Sequence, residues 1–384
     1  MNFELTDAQK SIKEKVRMFA EEHIAPTAAR NDRQQRFPED ILKKLAPTGL
    51  LAPTLAQEYG GYGADFIGEA CVFEEFGRVD SSIRTILSVH NSLVALTIQQ
   101  WGTQEQKERL LPDLCRGRVL GCFALSEHQS GSDAVHQQTT ATPDKDGWIL
   151  QGEKAWVSSG SQAQLCLTFA QSDAAQGVRG ITAFLVSTDA AGFEAEKVDG
   201  KMGLRAAHTA HLKFNNLHVP TENVLGKEGQ GFKIAMSALD HGRYGVAAGC
   251  VGQAQACLDS SVAFLLQRHA FGKPLAKFQL MQEMVADMAV EIEAARLLVY
   301  RAGYKKNQGE RNTIETTMAK YYATELSVRV ARAAIQIHGA QGYTDEYAVE
   351  RHLRDALATT IYEGTSQIQK LIIGRHLTGE SAFA

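Results

Sequence analysis

The chain has 384 residues, of which 44% are hydrophobic and 22% charged, and this ordinary composition excludes a largely disordered protein. Forty basic and 44 acidic residues give a formal charge of −4, which makes nucleic acid and anionic membranes poor partners. The length allows two or three packed units with a large buried core.

Residues 1 to about 118 show the patterns of helices. Phe19, His23 and Ile24 close a first amphipathic segment, and Pro38 stands at a helix-start position ahead of further apolar residues at helical spacing. The first residues, MNFELTDAQKSIKEKV, lack the apolar core of a signal peptide, and no apolar run approaches membrane-spanning length. We therefore expect a cytoplasmic protein without membrane insertion.

From about residue 119 to 225 the pattern changes to short β runs separated by turn segments rich in Gly, Asp, Ala and Ser. The runs are GCFAL, GWILQGEKAWV, QLCLTFA, ITAFLVS and HLKFNNLHVP. This order of patterns predicts a middle domain built of strands.

After Gly231 the helical period returns and continues. Apolar residues at three- and four-residue steps predict one buried stripe on a long helix: Met281, Met284, Val285, Met288, Ile292, Ala295 and Leu298. The methionines favour core packing over a cofactor site. The predicted fold is therefore mainly α with a β middle domain, divided at 1–118, 119–225 and 226–384.

Motifs for several kinds of site are missing from the sequence. It contains no complete G-x-G-x-x-G, no Walker A motif and no G-x-S-x-G elbow. The 12 histidines lack metal-ligand spacing, and the six cysteines lack C-x-x-C pairing. We expect no metal site, and we expect reduced, mostly buried thiols.

Residues 359–371, TTIYEGTSQIQKL, place one carboxylate, Glu363, beside Gly364 in an apolar and hydroxylic run. Desolvation among Ile361, Tyr362 and Ile368 should raise the pKa of Glu363 and improve it as a base near neutral pH. Taken alone, these residues favour an ordinary surface glutamate before a turn glycine.

Six segments resemble the acyl-CoA dehydrogenase family of flavoenzymes, in family order along the whole chain. They are FALSEHQSGSD, KAWVSSG, LDHGR, RHAFGKPLAKFQ, QIHGAQGY and IYEGTSQIQ. The resemblance implies an N-terminal helical domain, a β-barrel-like middle domain and a C-terminal four-helix bundle. It also implies FAD as cofactor, an electron-transfer flavoprotein as electron acceptor and a homotetramer built as a dimer of dimers.

The resemblance further assigns residues to the FAD site. The flavin ring would lie against a β-domain loop and a second segment, which supply Phe123, Leu125, Ser126, Ser132, Trp156 and Ser158. The rest of the cofactor would lie across a subunit interface, against Arg268, Phe271, Gln279, Gln336, Gly339, Ala340, Thr365 and Gln367. An arginine suits the pyrophosphate because its planar fork matches that anion.

Glu363 would be the catalytic base, which removes the α-proton of an acyl thioester while the β-hydrogen leaves as hydride to the flavin. The thioester oxygen would be polarised by the Glu363 backbone N–H and a flavin ribityl hydroxyl. One family branch places its base on the helix before the arginine that matches Arg243. That position is Gly242 in this chain, so Glu363 has no rival.

Ser132, Asp240, Arg243 and Gly364 match residues that contact the thioester substrate in relatives. Asp240 and Arg243 could equally form an ion pair within one helix, because they lie three residues apart. The substrate could be carried by CoA or by an acyl carrier protein, since both present the same pantetheine arm.

Arg84, in SSIRTILSVHNSLV, resembles an arginine that holds the distal carboxylate in glutaryl-CoA dehydrogenases and also occurs in acyl-carrier-protein-linked members. It predicts a short acyl group with a polar or anionic end. The alternative is an arginine that caps a helix or pairs with Asp80. The acid that glutaryl enzymes keep seven positions earlier is Gly77 here, which leaves oxidative decarboxylation open.

The chain departs from the usual family sequence in two places. Where the family loop reads T-E-P-G-A-G-S-D, this chain has Ser126, His128 and Gln129 in place of Thr, Pro and Gly. His128 is expected at the rim of the site. The usual double glycine is Gly339–Ala340.

The alternative from another functional class is a binding protein that has the same fold and holds no flavin.

Overall fold

The computed structural model describes residues 4–382 as three consecutive groups of elements. Seven α-helices come first: α1 (Asp7–Phe19), α2 (Ala25–Arg33), α3 (Glu39–Leu45), α4 (Phe66–Val79), α5 (Ser81–Ser88), α6 (Leu96–Trp101) and α7 (Gln104–Cys115). Thr6 and Thr103 begin α1 and α7 with reciprocal capping boxes to Gln9 and Gln106.

Two π-helical segments interrupt this first group, at Ala20–Ile24 and Val89–Ala95. The predicted close of the first segment near Ile24 is wrong, because the chain stays helical through the π-helical turns and α2 to Arg33. Pro26 is tolerated because it stands in the first turn of α2, where a missing N–H costs no hydrogen bond within that helix. Pro38 precedes α3, as expected.

The second group is a sheet of eight strands: β1 (Gly121–Ala124), β2 (Thr140–Asp144), β3 (Gly147–Ser158), β4 (Leu165–Gln171), β5 (Ile181–Ser187), β6 (Phe193–Lys197), β7 (Thr209–Pro220) and β8 (Val224–Leu225). Their order is β6-β7-β3-β2-β4-β5-β8, with β1 paired to β4. Most pairs are antiparallel, and β4 runs parallel to β1 and β2. The five β runs of the sequence match β1, β3, β4, β5 and β7.

The third group is helical: α8 (Gly231–Gln267), α9 (Gln279–Asn307), α10 (Thr313–His338), α11 (Val349–Thr359) and α12 (Ser366–Thr378), with a short hairpin of β9 (His269–Ala270) and β10 (Lys273–Pro274) after α8. Helices α8, α9 and α10 pack on one another, and α8 and α9 also pack on α4. The main apolar core lies between these helices. The predicted fold class, mainly α with a β middle domain, is confirmed.

The predicted stripe on α9 is fully buried at Met288, Ile292 and Ala295. Nearer the start of α9, Met281 and Met284 are only half-buried, because that end of the helix lies beside an open apolar groove against α8. All six cysteines are buried and free, as expected. Within residues 4–382, no helix is both long enough and apolar enough to cross a membrane. The domain limits 118/119 and 225/226, which we keep as a proposal, fall in connections between elements.

Candidate active site

Glu363 lies in the short connection between α11 and α12, in a backbone conformation that is unusual for its residue type. Its φ is +54° and that of Gly364 is +88°. A non-glycine residue in this left-handed region is uncommon, and such strain concentrates at functional sites. A side chain at position 364 is also excluded sterically, since its Cβ would lie 2.6 Å from Gln369 Nε2.

Three side chains hold this connection through its carbonyl groups. Arg243 Nε on α8 donates to the Glu363 carbonyl at 2.9 Å, and Lys320 Nζ on α10 donates to the Gly364 carbonyl at 2.8 Å. Gln369 Nε2 donates to both carbonyls at 3.1 Å. These bonds offset the strain and fix the position of Glu363. Within residues 4–382, its backbone N–H has no acceptor, so it remains available as a donor.

The Glu363 carboxylate is in a desolvated position. Its Oε2 is buried and has no hydrogen-bond partner among the described residues. Burial raises the pKa of Glu363 to about 7, although the nearby cations of Arg84, Lys320 and Arg243 act in the opposite direction. The predicted desolvation is therefore confirmed, and a carboxylate with this pKa can accept a proton near neutral pH.

Gly242 makes room for this carboxylate. A Cβ on Gly242 would overlap Glu363 Oε2 and would lie 2.6 Å from Leu93 Cδ2. Leu93 belongs to the π-helical segment Val89–Ala95, and such segments occur often at functional sites. Leu93, Val89 and Ala238 form a small apolar cluster against which Phe123 of β1 packs. This cluster joins the β-domain to the surroundings of Glu363.

Arg84 is buried on α5, with 2% of its surface exposed. Its Nη2 donates to the Tyr362 hydroxyl at 2.7 Å, and its side chain packs against Gly249, where a Cβ would lie 2.5 Å from Arg84 Cδ. The alternative pairing with Asp80 is wrong, because Asp80 caps α5 by accepting from backbone N–H groups. Arg84 therefore lies one residue away from the base, through Tyr362.

Two buried polar atoms on α5 have no partner within the described part of the chain. They are Arg84 Nε and Ser88 Oγ, which lie one helical turn apart on α5. A buried polar group without a partner is costly, so such atoms often mark a place where a ligand completes the hydrogen bonding. The sequence analysis did not single out Ser88, although its spacing of four from Arg84 could have suggested it.

Asp240 and Arg243 form the ion pair that their spacing on α8 allows, at 3.1 Å. The pair does not stand alone, since Thr313 Oγ1 donates to the other Asp240 oxygen at 2.8 Å while Arg243 also binds the Glu363 carbonyl. The intrahelical ion pair is therefore confirmed, and its arginine also contacts the connection that carries Glu363. Contact of these two residues with the substrate stays a prediction.

The β-domain loop after β1 is fixed from below by a buried ion pair that sequence reasoning missed. Lys154 Nζ lies 2.9 Å from Glu127 Oε1 and also donates to the Leu125 carbonyl at 3.3 Å. Glu127 accepts from the backbone N–H groups of Gln138 and Thr139. Burial lowers the pKa of Lys154 to about 8, while Glu127 opposes that shift. These contacts anchor the loop where the flavin ring is expected.

Trp156 lies next to this loop and exposes its aromatic ring. It is 60% exposed, with a φ of +61°, and Ser126 is joined to the neighbouring Ala155 by a backbone hydrogen bond of 2.8 Å. His128 is exposed, and its ring centroid lies 4.6 Å from that of His211, which packs on Trp156. Its place at the rim of the flavin site stays a prediction. An exposed aromatic ring beside small hydroxyl side chains fits the apolar face and polar edge of a flavin.

The other residues assigned to the cofactor lie in two exposed groups. Arg268, Phe271 and Gln279 surround the β9–β10 hairpin, and Phe271 is 94% exposed. Gln336, Gly339 and Ala340 lie at the end of α10, Thr365 caps α12 through its hydroxyl, and Ser132 and Gln367 are exposed. Within residues 4–382, no hydrogen bond or ion pair joins the hairpin residues or the residues at the end of α10 to Glu363, whereas Thr365 lies in the same connection as Glu363. An aromatic side chain as exposed as that of Phe271 fits a surface that a ligand or another subunit covers.

A desolvated carboxylate at Glu363 and an exposed aromatic, hydroxyl-lined platform at Trp156 are the features of one class: flavin-dependent oxidoreductases that remove a proton from carbon. The sequence matches the N-terminal, middle and C-terminal domains of acyl-CoA dehydrogenases, over residues 6–118, 122–217 and 229–378. The chain belongs to the acyl-CoA dehydrogenase family, whose members are FAD-dependent enzymes acting on CH–CH groups. The predicted family, enzyme class and cofactor are confirmed.

Several relatives are similar over almost the full length. The short-chain-specific acyl-CoA dehydrogenase of Clostridium acetobutylicum is 41% identical over 97% of this chain and 98% of its own. The structure of butyryl-CoA dehydrogenase from Megasphaera elsdenii has 41% identity and a TM-score of 0.96, covering 98% of this chain and all of that one. A glutaryl-CoA dehydrogenase bound to glutaryl-CoA has 36% identity and a TM-score of 0.95, covering 99% and 97%.

Proposed function

We propose that this enzyme oxidises the Cα–Cβ bond of a short acyl thioester to the trans-enoyl thioester, with Glu363 as the base. The observation that carries the proposal is the Glu363 carboxylate itself, which is desolvated, unpaired at Oε2 and has its pKa raised to about 7. A base with a pKa near the working pH is suited to proton abstraction. Without such a role, burial of this carboxylate would only lower the stability of the fold.

The residues of the chain divide the work in this proposal. Glu363 takes the α-proton, and its free backbone N–H donates to the thioester oxygen, where negative charge develops. Bound FAD supplies the acceptor for the β-hydride. Phe123, Leu125, Ser126, Ser132, Trp156 and Ser158 would hold the flavin ring. Arg268, Phe271, Gln279, Thr365 and Gln367, with Gln336, Gly339 and Ala340 of a neighbouring subunit, would hold the rest of FAD.

We infer a short acyl chain from the relatives, two of which are named for short-chain or butyryl substrates. Leu93 and Val89 lie in the π-helical segment beside Glu363, where an acyl tail would enter. Asp240, Arg243, Ser132 and Gly364 would contact the thioester and its pantetheine arm. Coenzyme A is the carrier we propose, and an acyl carrier protein is the alternative.

A second candidate substrate carries a polar or anionic end, which Arg84 would bind. The unpaired Arg84 Nε and Ser88 Oγ favour it. Gly77 disfavours decarboxylation of a glutaryl group, since a side chain there would overlap the Gly249 carbonyl, so the missing acid has no room.

We propose a homotetramer, a dimer of dimers, in which α8 and α9 meet a neighbouring subunit. In a monomer these helices would expose large apolar residues to water: Val262, Leu266, Leu280, Val290 and Leu297. An apolar groove lined by Leu258 and Val285 runs between the two helices. We further propose an electron-transfer flavoprotein as electron acceptor and the cytoplasm as location, on the resemblance alone.

Anaerobic titration of the purified holoenzyme tests this function. The flavin absorbance should bleach fastest with butyryl-CoA among straight-chain substrates, and slowly with long alkyl chains. Succinyl-CoA and glutaryl-CoA test the second candidate, and butyryl-acyl carrier protein tests the alternative carrier. Failure of every short acyl thioester to bleach the flavin would contradict the proposal.

A further inference from the structure

Lys320 on α10 is a buried cation that the established family chemistry leaves without a task. None of its surface is exposed. Its Nζ donates to the Gly364 carbonyl at 2.8 Å, and the partners stand 44 positions apart in the sequence. Burying an ammonium group is costly unless the group is paired or bound, so its place below this connection needs a physical reason.

The first reason is mechanical. Glu363 and Gly364 both have positive φ, and their two carbonyls turn toward the bundle. Arg243 and Lys320 each bind one of these carbonyls with a charged donor, which makes a stronger hydrogen bond than a neutral donor. The two cations thus hold the strained pair of residues from opposite helices, α8 and α10.

The second reason is electrostatic. The charges of Arg84 on α5, Lys320 on α10 and Arg243 on α8 act on the Glu363 carboxylate, and the Tyr362 hydroxyl stands beside it. Lys320 itself also interacts with Cys250 of α8 and Glu325 of α10. Arg243 is already paired with Asp240, and Arg84 hydrogen-bonds Tyr362. Within residues 4–382, Lys320 has only the neutral Gly364 carbonyl as a hydrogen-bond acceptor and forms no salt bridge. Glu363 is the carboxylate that acts on its charge most strongly, ahead of Glu325.

We propose that Lys320 is a positioning residue for the base: it holds the Glu363–Gly364 turn by the Gly364 carbonyl and stabilises the ionised Glu363 carboxylate. This inference rests on the proposed function of Glu363. The charge effects agree with the geometry, since Lys320 acts to lower the pKa of Glu363 and Glu363 acts to raise that of Lys320. The pKa of Lys320 is lowered to about 8 by burial, so the side chain is mostly protonated at pH 7.

The test compares Lys320→Met with Lys320→Arg in the holoenzyme. Infrared difference spectra across pH follow the carboxylic acid band that Glu363→Gln removes, which reports protonation of Glu363 without turnover. Loss of a nearby opposite charge should shift the midpoint of this band upward by about one pH unit or more. The pH profile of flavin bleaching should shift with it, and Lys320→Arg should restore the wild-type midpoint. Lys320→Gln, which keeps an N–H donor without charge, should shift upward like Lys320→Met.

Lys306→Met is the matched control, because Lys306 is also a buried cation of the bundle but makes no contact with the Glu363 connection. Its midpoint should equal that of the wild type. An unchanged midpoint in both Lys320→Met and Lys320→Gln, with Glu363→Gln inactive, would overturn the role of Lys320 alone. Full bleaching by Glu363→Gln would overturn the base and this inference together.

Discussion

Arg243 supports Glu363 through its main chain. The Arg243 Nε atom donates to the Glu363 carbonyl at 2.9 Å, while its Nη1 lies 3.1 Å from Asp240 Oδ1. A residue proposed to contact the substrate therefore also fixes the connection that carries the base. If Arg243 contacts the thioester as proposed, binding of the substrate and placement of Glu363 are coupled through one guanidinium group.

Arg243→Gln should lower kcat/KM by roughly 10- to 100-fold, because it removes a charge-assisted hydrogen bond worth about 1.5–3 kcal/mol. Both kcat and KM should change, since one side chain serves the base and the substrate. Asp240→Asn, which leaves Arg243 bound to the Glu363 carbonyl, should change mainly KM. Steady-state kinetics with butyryl-CoA checks both variants, and an Arg243→Gln effect confined to KM would contradict the coupling.

Gly242→Ala should slow flavin reduction by about 10-fold or more while FAD stays bound. The new Cβ would overlap Glu363 Oε2 and crowd Leu93, so the carboxylate must leave its position. Gly374→Ala on α12 is the control, because nothing lies within 4 Å of a Cβ there. Stopped-flow bleaching measures both rates, and equal rates would show that Glu363 Oε2 does not need this space.

Arg84→Met should impair a substrate with an anionic end far more than butyryl-CoA, by about 10-fold or more in relative kcat/KM. The variant removes the charge that would pair with the anion and leaves the Tyr362 hydroxyl without its donor. Arg351→Met serves as the control for loss of a buried guanidinium. Within residues 4–382 its hydrogen-bond acceptor is the Val79 carbonyl, and its charge acts on Asp80 and Asp355 rather than on Glu363. Equal losses for both substrates would return Arg84 to a structural role.

The raised pKa of Glu363 has a consequence for stability. Because its folded-state pKa is about 7, above the ordinary 4.5, its favourable contribution is fully present below about pH 4.5 and is lost as the pH rises through 7. Glu363→Gln carries no charge to bury, so its stability relative to wild type should rise between pH 5 and pH 8 by about 1–3 kcal/mol. Denaturant unfolding at both pH values measures this difference, and a constant difference would contradict the raised pKa.

The order of helices, strands and helices was predictable because long amphipathic helices and buried strands carry strong periodicity. Strands β2 and β6 escaped the prediction, since four of the five residues in β2 are exposed and none in β6 is fully buried. Apolar alternation cannot mark a strand that buries so little. The desolvation of Glu363 was predictable because its neighbours along the chain are apolar or uncharged.

Long-range contacts account for most of what the sequence did not indicate about the site. Lys320 contacts Gly364 across 44 positions, and Lys154 contacts Glu127 across 27. A lysine in a helix or strand pattern is predicted to be exposed, so only the folded chain distinguishes these buried cations. The partnerless state of Arg84 Nε and Ser88 Oγ likewise follows from packing of α5 against α8 and is invisible in local patterns.

The role of Glu363 as the base is tested most directly by anaerobic reaction of Glu363→Gln with butyryl-CoA. The amide is nearly isosteric and keeps the backbone N–H, but it cannot accept the α-proton. The variant should therefore keep its bound FAD and its affinity for the thioester. The rate at which the substrate bleaches the flavin should fall by at least about 10³-fold. Bleaching at close to the wild-type rate would contradict the assignment of Glu363.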